Sequence, residues 1–180
     1  MTAVQAGKSI DTSMAFTPTA GLVMSTRTGD LDPGVAFYLS QTEQMTPDQF
    51  YHMANFGSGM LGISETSSDM RDLLEREQSD SRAAEALAVF CYSARKMIGA
   101  YAVALGGLDT LIFSGGIGEN AATIRARICV DLEFLGVRLD PPLNDANSGV
   151  ISAANSRVQV RVMHTDEERE IAQIVKGFLA

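Results

Sequence analysis

Several things are scarce in this sequence, and each scarcity closes off a class of protein. Among 180 residues there is no tryptophan, and there are only two cysteines, two histidines and five prolines. Two cysteines are too few for a disulfide framework. Cys91 and Cys129 each fall within an apolar helical pattern, where a reduced thiol behaves as a small hydrophobe. His52 and His164 have no i,i+4 partner and no neighbouring cysteine, so neither marks a zinc site. Basic residues number 14 against 22 acidic ones, for a net charge of −8. That balance argues against a nucleic-acid or anionic-membrane partner, since both call for basic surface. It leaves room for a phosphate ligand, which needs only a few local donors. No apolar run approaches the roughly 18 residues of a membrane span, and MTAVQAGKSIDTS lacks a basic stretch leading into an apolar one. The expectation is a soluble, cytoplasmic protein. No GxSxG, Walker A, HExxH or CxxC motif occurs.

What remains is 46% hydrophobic and 20% charged with 16 glycines, enough to bury a core in one domain. The first 35 residues are rich in Gly, Pro, Asp, Ser and Thr and read as short strands and shaped loops, with Leu22, Val23 and Met24 as the buried stretch. A helix is expected near Pro33. A second starts at Thr46, a capping residue followed by Pro47 at the first helical position, and GSGMLGIS breaks it. A third covers SSDMRDLLERE.

The strongest periodicity lies between Asp80 and Leu105. Ala84, Leu87, Cys91, Ala94, Ile98, Tyr101 and Leu105 recur at alternating spacings of three and four, which lines one face of a long helix. Gly106 and Gly107 end it. The stripe reads as core or as a subunit interface. LDTLIFS then reads as a buried strand and GGIGEN as a turn. AATIRARICVDLEFLG reads as a helix stopped by Gly136, VRLD as an edge strand and LNDANSG as a loop. SRVQVRVMH reads as a strand and TDEEREIAQIVKGFL as an amphipathic helix, with Thr165 and Glu168 forming a capping-box signature. The order defines an α/β layer architecture.

Strand, glycine turn, helix is an arrangement that cradles phosphate, because small residues admit the ligand and free amides favour negative charge. Gly115, Gly116 and Gly118 meet that need, with Asn120 as the expected cap. The same glycines also serve as an ordinary tight turn. A rival reading takes Gly116 to Ala121 as a GxGxxG/A dinucleotide fingerprint with Asp140 downstream. Against it stand the motif's late position and the loop after Asp140. Arg27, set among turn-forming residues, can clamp a phosphoryl group or carboxylate with its forked donors, or simply pair with Asp30 or Asp32. Asp69 and Arg71 can hold a ribose or base edge, or serve as a helix cap and a solvated charge. Glu167, in the first turn of the last helix, can bind Mg²⁺ directly or through water.

Four strings occur together in a familiar order. DTSMAFTPTAGLVMSTRTGDLDP, ISETSSDMRD, FSGGIGENA and HTDEE resemble the signatures of the acetate kinases, across nearly the whole chain. The resemblance implies an α/β, ribonuclease-H-like C-terminal domain of the acetate and sugar kinase/Hsp70/actin superfamily. Its mixed sheet would be flanked by helices, and the domain would be incomplete at its N-terminus. It implies reversible transfer of the ATP γ-phosphoryl to acetate or another short-chain carboxylate, giving an acyl phosphate, with ATP/ADP and Mg²⁺ as cofactors. On that likeness Arg27 matches the arginine that stabilises the transferring phosphoryl, and Asp69, Met70 and Arg71 match an adenosine-binding stretch. Gly116, Ile117, Gly118, Glu119 and Asn120 match the nucleotide loop, and Glu167 matches the Mg²⁺-binding glutamate.

Departures from the family accompany the likeness. Its members are about twice as long, and the phosphate element and N-terminal domain that supply further active-site groups lie outside the matched motifs. Ser25 and Ala15 replace glycines usual there. The expectation is a C-terminal nucleotide-binding half, 1–180, that partners a missing N-terminal half, forms a homodimer and turns over little alone. The alternatives are a non-catalytic nucleotide-binding or assembly module and a dinucleotide-dependent oxidoreductase.

Overall fold

The protein is described from a computed structural model covering residues 1–178. Its chain divides into two units, Met1–Gly107 and Leu108–Ala180.

The first unit opens with an antiparallel hairpin of β1 (Thr2–Gln5) and β2 (Lys8–Thr12). Ala6 and Gly7 both take positive φ in its two-residue turn, the geometry that matches strand twist. Five helices follow: α1 (Gly34–Thr42), α2 (Pro47–Phe56), α3 (Gly59–Ser64), α4 (Met70–Arg76) and α5 (Ser81–Leu105). The Thr46 hydroxyl accepts from the Gln49 amide while the Gln49 side chain accepts from the Thr46 amide, a complete capping box with Pro47 at the first position. Asp80 caps α5 by accepting from the amides of Arg82 and Ala83, and Gly106 closes it at φ 74°. The 25 residues of α5 run about 37 Å at 1.5 Å per residue.

The predicted stripe on α5 is core. Leu87, Cys91, Ala94, Ile98 and Tyr101 are buried, covered by α3, α4 and β1. Alanines at 83, 86 and 94 let these neighbours come close. Met60 of α3 and Leu73 of α4 are fully buried, each contributing about 1.5–3 kcal/mol.

The second unit holds two parallel strands, β3 (Thr110–Phe113) and β4 (Gln159–Val162), paired from Thr110↔Gln159 to Phe113↔Val162. An antiparallel bridge, Val150↔Arg161, makes the sheet mixed. Helices α6 (Gly115–Asn120), α7 (Ala122–Cys129), α8 (Pro141–Asp145) and α9 (Glu167–Phe178) accompany it. Ile124, Ile128, Leu132, Val137, Ile151, Val158 and Val160 form its core.

The structure corrects several expectations. Leu22, Val23 and Met24 are half-buried and form no strand. GSGMLGIS does break α2, yet Gly59 to Ser64 then wind into α3. LDTLIFS supplies β3, but its residues alternate between exposed and half-buried. The helix expected to reach Gly136 ends at Cys129, because Asp131 takes φ 64° and a 3₁₀ turn, Glu133–Leu135, follows. VRLD contributes a single bridge, Leu139↔Ser152. LNDANSG lies partly in α8, whose cap is Asp140 with Pro141 next. The last helix is capped by Asp166, which accepts from the Arg169 amide, and the Thr165 hydroxyl instead donates to Glu119. Among the described residues, no helix is long and apolar enough to cross a membrane.

Candidate active site

In the first unit, Arg27 sits on a loop stitched to the start of α3. The amides of Ser58, Met60 and Leu61 donate to the carbonyls of Thr26, Met24 and Ser25 at 2.9, 2.8 and 2.9 Å. Such an approach requires Gly59. A Cβ there would fall on the Met24 carbonyl oxygen and lie 2.7 Å from the Arg27 oxygen, and φ is +63°.

Asn55, only 9% exposed, anchors the loop's other side. It accepts from the Thr19 hydroxyl, its carbonyl accepts from the Thr26 hydroxyl, and its amide donates to Tyr51. A cleft of about 250 Å³ is lined by Met24, Ser25, Thr26, Arg27, Asn55 and Phe56. No hydrogen bond or ion pair engages the Arg27 guanidinium among the described residues. The neighbouring carboxylates are engaged elsewhere: Asp30 accepts from the Gly21 amide and Asp32 from the Gly34 amide. Arg27 is therefore a cation held at a cleft with its donors available.

Asp69, Met70 and Arg71 lie together at the far end of α3, beyond the turn at Ser64. Six helical residues place that turn about 9 Å from the Arg27 loop. Asp69 caps α4 through the Arg71 amide and accepts from Arg71 Nε and Nη2 at 3.3 and 3.0 Å. The Arg71 side chain beside it holds the Asp69 carboxyl at about 2. Met70 is buried and anchors the start of the helix. The Arg71 side chain is 85% exposed, so its guanidinium remains open to solvent beside Asp69.

In the second unit the glycine segment is the six-residue helix α6, not a turn. Asn120 does not cap α7; its side-chain amide donates back to the Gly116 carbonyl. The three glycines have different duties. Gly118 packs on β3, where a Cβ would lie 3.1 Å from the Phe113 carbonyl carbon, whereas Gly115 and Gly116 face open space. Ile117 accepts the Ala121 amide in the last turn of the helix.

Glu119 is a latch. Its Oε1 accepts from the amides of Gly115 and Thr165 and from the Thr165 hydroxyl, and its Oε2 meets His164 Nδ1 at 2.6 Å. The His164 contact, with these further donors, holds the Glu119 carboxyl at about 2, and Glu119 in turn raises the His164 pKa. The latch ties α6 to the segment entering α9. Two residues beyond Thr165 stands Glu167, exposed in the first turn of α9, with no hydrogen bond or ion pair among the described residues.

Three residues with no assigned role in the sequence reading emerge here: Asn55, His164 as a latch partner, and Arg125. Arg125 is fully buried and donates to α6 and α8. Its signal lay in spacing, since it falls beside Ile124 and three residues before Ile128 on the inward face of α7.

Each unit thus presents groups with capacity to spare: an arginine on a tethered loop at a cleft in the first, and a strand feeding a glycine-rich helix with an exposed carboxylate opening the last helix in the second. The chain belongs to the Acetokinase family, which residues 1–173 match. It is 48% identical over 184 residues to the acetate kinase of Symbiobacterium thermophilum, spanning 98% of this chain and 46% of that one. It is 45% identical to the propionate kinase of Citrobacter rodentium, over 96% of this chain and 43% of that one. The crystal structure of the Porphyromonas gingivalis acetate kinase superposes with a TM-score of 0.92 at 40% identity, covering 99% of this chain and 46% of that chain. The chain thus spans a little under half the length of these relatives. Membership of this family sets aside the dinucleotide-dependent oxidoreductase, and Asp140, its supposed ribose ligand, serves as the cap of α8.

Proposed function

We propose that this chain is the nucleotide-binding C-terminal part of a kinase that moves the γ-phosphoryl of ATP, reversibly, to a short-chain carboxylate such as acetate or propionate. The carrying observation is Arg27, a cation without a partner among the described residues, held at a cleft by a loop that Gly59 and Asn55 fix in place. Phosphoryl transfer places charge on equatorial oxygens, and a guanidinium carried on a fixed loop can stabilise that charge with its forked donors. In this reading Gly116 to Asn120 receive the nucleotide's phosphates. Support comes from the open space at Gly115 and Gly116. Asp69, Met70 and Arg71 serve the adenosine, with the Arg71 guanidinium steadied by Asp69 against a ribose or base edge. Glu167 suits Mg²⁺, a hard cation that takes one carboxylate alongside water and phosphate oxygens. When bound, the ion neutralises phosphate charge.

A single arginine and a single carboxylate do not enclose a transition state from all sides. The 180-residue polypeptide is therefore expected to bind nucleotide but turn over slowly without an N-terminal partner half. Homodimer formation is carried as part of the proposal. The α5 stripe is spent on the core of its own unit, so a dimer must use other surface.

The test has two arms. Calorimetric titration of the chain should show Mg·ATP binding in preference to NAD, and tighter NAD binding would retire the proposal. In an active assembly with an N-terminal half, Arg27→Ala should lower kcat by about 10²–10³ with ATP affinity retained. Unchanged turnover would favour a second reading, an assembly module. That reading has an observation of its own: α9 leaves Ile171, Ile174, Val175 and Phe178 exposed along one face.

A further inference from the structure

The short helix α6 poses an accounting problem. It is half glycine, the residue with the greatest backbone entropy to lose, and it stops after six residues. Its last carbonyls have no amide ahead of them to accept from. The Ala121 amide reaches back to Ile117, and the Ile124 and Arg125 amides go to Ala121. The carbonyls of Gly118 and Glu119 are left over.

Arg125 takes both. Its Nη1 donates to the Gly118 and Glu119 oxygens at 2.9 and 3.1 Å. Its Nε donates to Asn144 Oδ1 at 2.8 Å, and its Nη2 to the Asn144 carbonyl and Asn147 Oδ1, both at 2.6 Å. A guanidinium carries five N–H donors, and five oxygens receive them. All five are neutral. Asn144 is itself buried, and its amide donates to the Ala122 carbonyl. The buried cation thus fastens the end of the glycine helix to α8 with fixed geometry, while Glu119 fastens its beginning.

We infer that Arg125 is a positioning residue for nucleotide phosphate binding: from beneath, it sets the backbone of Gly116 to Asn120 without touching the ligand. The inference rests on the nucleotide reading proposed above. A lysine offers three donors from one point and cannot span the five oxygens. A charge at this position is therefore not enough; the fork is required.

The experiment is Arg125→Lys in the 180-residue chain, titrated with Mg·ADP and separately with adenosine. The expected result is at least a tenfold rise in Kd for Mg·ADP with adenosine binding changed less than twofold, because adenosine lacks the phosphates that α6 would receive. A general loss of structure would weaken both. If Arg125→Lys does not fold, Asn147→Gly serves instead. Asn147 is exposed at φ 50°, a conformation glycine accepts, and the change deletes one acceptor only. A loss of about threefold confined to Mg·ADP is then expected. Equal losses for both ligands, or none for either, would overturn the positioning role while leaving the nucleotide reading intact. A wild-type chain that binds no Mg·ADP would overturn that reading, and the role with it.

Discussion

Two glycine substitutions in the first unit should move its stability in opposite directions. Gly59 occupies the left-handed region at φ +63°, with the Met24 carbonyl oxygen and both the oxygen and nitrogen of Arg27 in the space a Cβ would fill. Gly99 lies within α5, and a Cβ there meets nothing within 4 Å. Alanine at position 99 should stabilise by about 0.5–1 kcal/mol, since glycine in a helix loses more entropy on folding. Alanine at position 59 incurs about 1–2 kcal/mol for the left-handed backbone alone. It also stands 2.7 Å from the Arg27 oxygen, about 0.8 Å inside van der Waals contact. The loop must retreat, weakening the three amide–carbonyl bonds that join it to α3, each worth about 1 kcal/mol. The expected loss is about 3 kcal/mol, or roughly 6–12 °C in Tm for a chain of this size. Urea and thermal denaturation followed by circular dichroism would read both variants, and because both residues lie in one unit, the same transition reports each. A Gly59→Ala protein within about 1 kcal/mol of wild type would refute the claim that this glycine is what lets the Arg27 loop close. A retreat of about 1 Å at Arg27 should further cost about 100-fold in turnover in an active assembly.

Other expectations are as direct. Asp80→Ala removes the acceptor for two amides at the start of α5 and should destabilise by about 1 kcal/mol, read from the urea midpoint; no shift would mean that the cap carries nothing. The Glu119–His164 contact has a pH window. Glu119, held at about 2 against an ordinary 4.5, adds stability that is present above pH 4.5 and lost as pH falls toward 2. His164, raised above its ordinary 6.5, adds stability that is complete below 6.5 and lost as pH rises through its folded value. The contact should therefore be strongest between about pH 4.5 and 6.5. An NMR titration should find the His164 imidazole above 6.5 in wild type and near 6.5 in Glu119→Gln; equal titration in the two would sink the latch.

Helices with a complete local signature were legible in the sequence. Around α2 the Thr-Pro-x-Gln start was written out in four residues, and α5 showed unbroken periodicity along its length with its stop in Gly106. Where the backbone is dictated from outside the segment, local pattern misled. The apolar period after Cys129 continues smoothly through Leu132, but Asp131 at φ 64° ends the helix. Aspartate enters that conformation only occasionally, so Asp131 is a weak stop signal beside a continuous apolar period. The α8 start was readable, since Asp140-Pro141 is a cap followed by a favoured first residue, but the polar composition of LNDANSG outweighed it. GGIGEN was misjudged as a turn for a sound reason: three glycines in six residues have poor helix propensity. Glu119 and Arg125 overcome that deficit, and their remote partners, His164 and Thr165 for one and Asn144 and Asn147 for the other, lie outside any short window of sequence around the glycines.

The candidate residues differ in what they have left to give. Glu119 has three donors on one oxygen and an imidazole on the other, so its carboxylate is spent on the scaffold, and only its backbone can serve a ligand. Asp69 is similarly occupied, by the cap of α4 and by Arg71. Arg125 has placed all five of its donors. By contrast, the Arg27 guanidinium and the Glu167 carboxylate hold no internal partner among the described residues, although each stands on a segment that others hold in place. Charged groups that are unspent are the ones whose hydrogen-bonding and charge must be answered from outside the fold, by solvent or by ligand. One is a fork suited to phosphoryl oxygens and the other a single carboxylate suited to a hard cation. The Arg27 loop is held by Asn55 and by the amides at the start of α3, and the segment leading to Glu167 is held by the Glu119 latch. The unoccupied groups explain why a magnesium nucleotide is the ligand to test first.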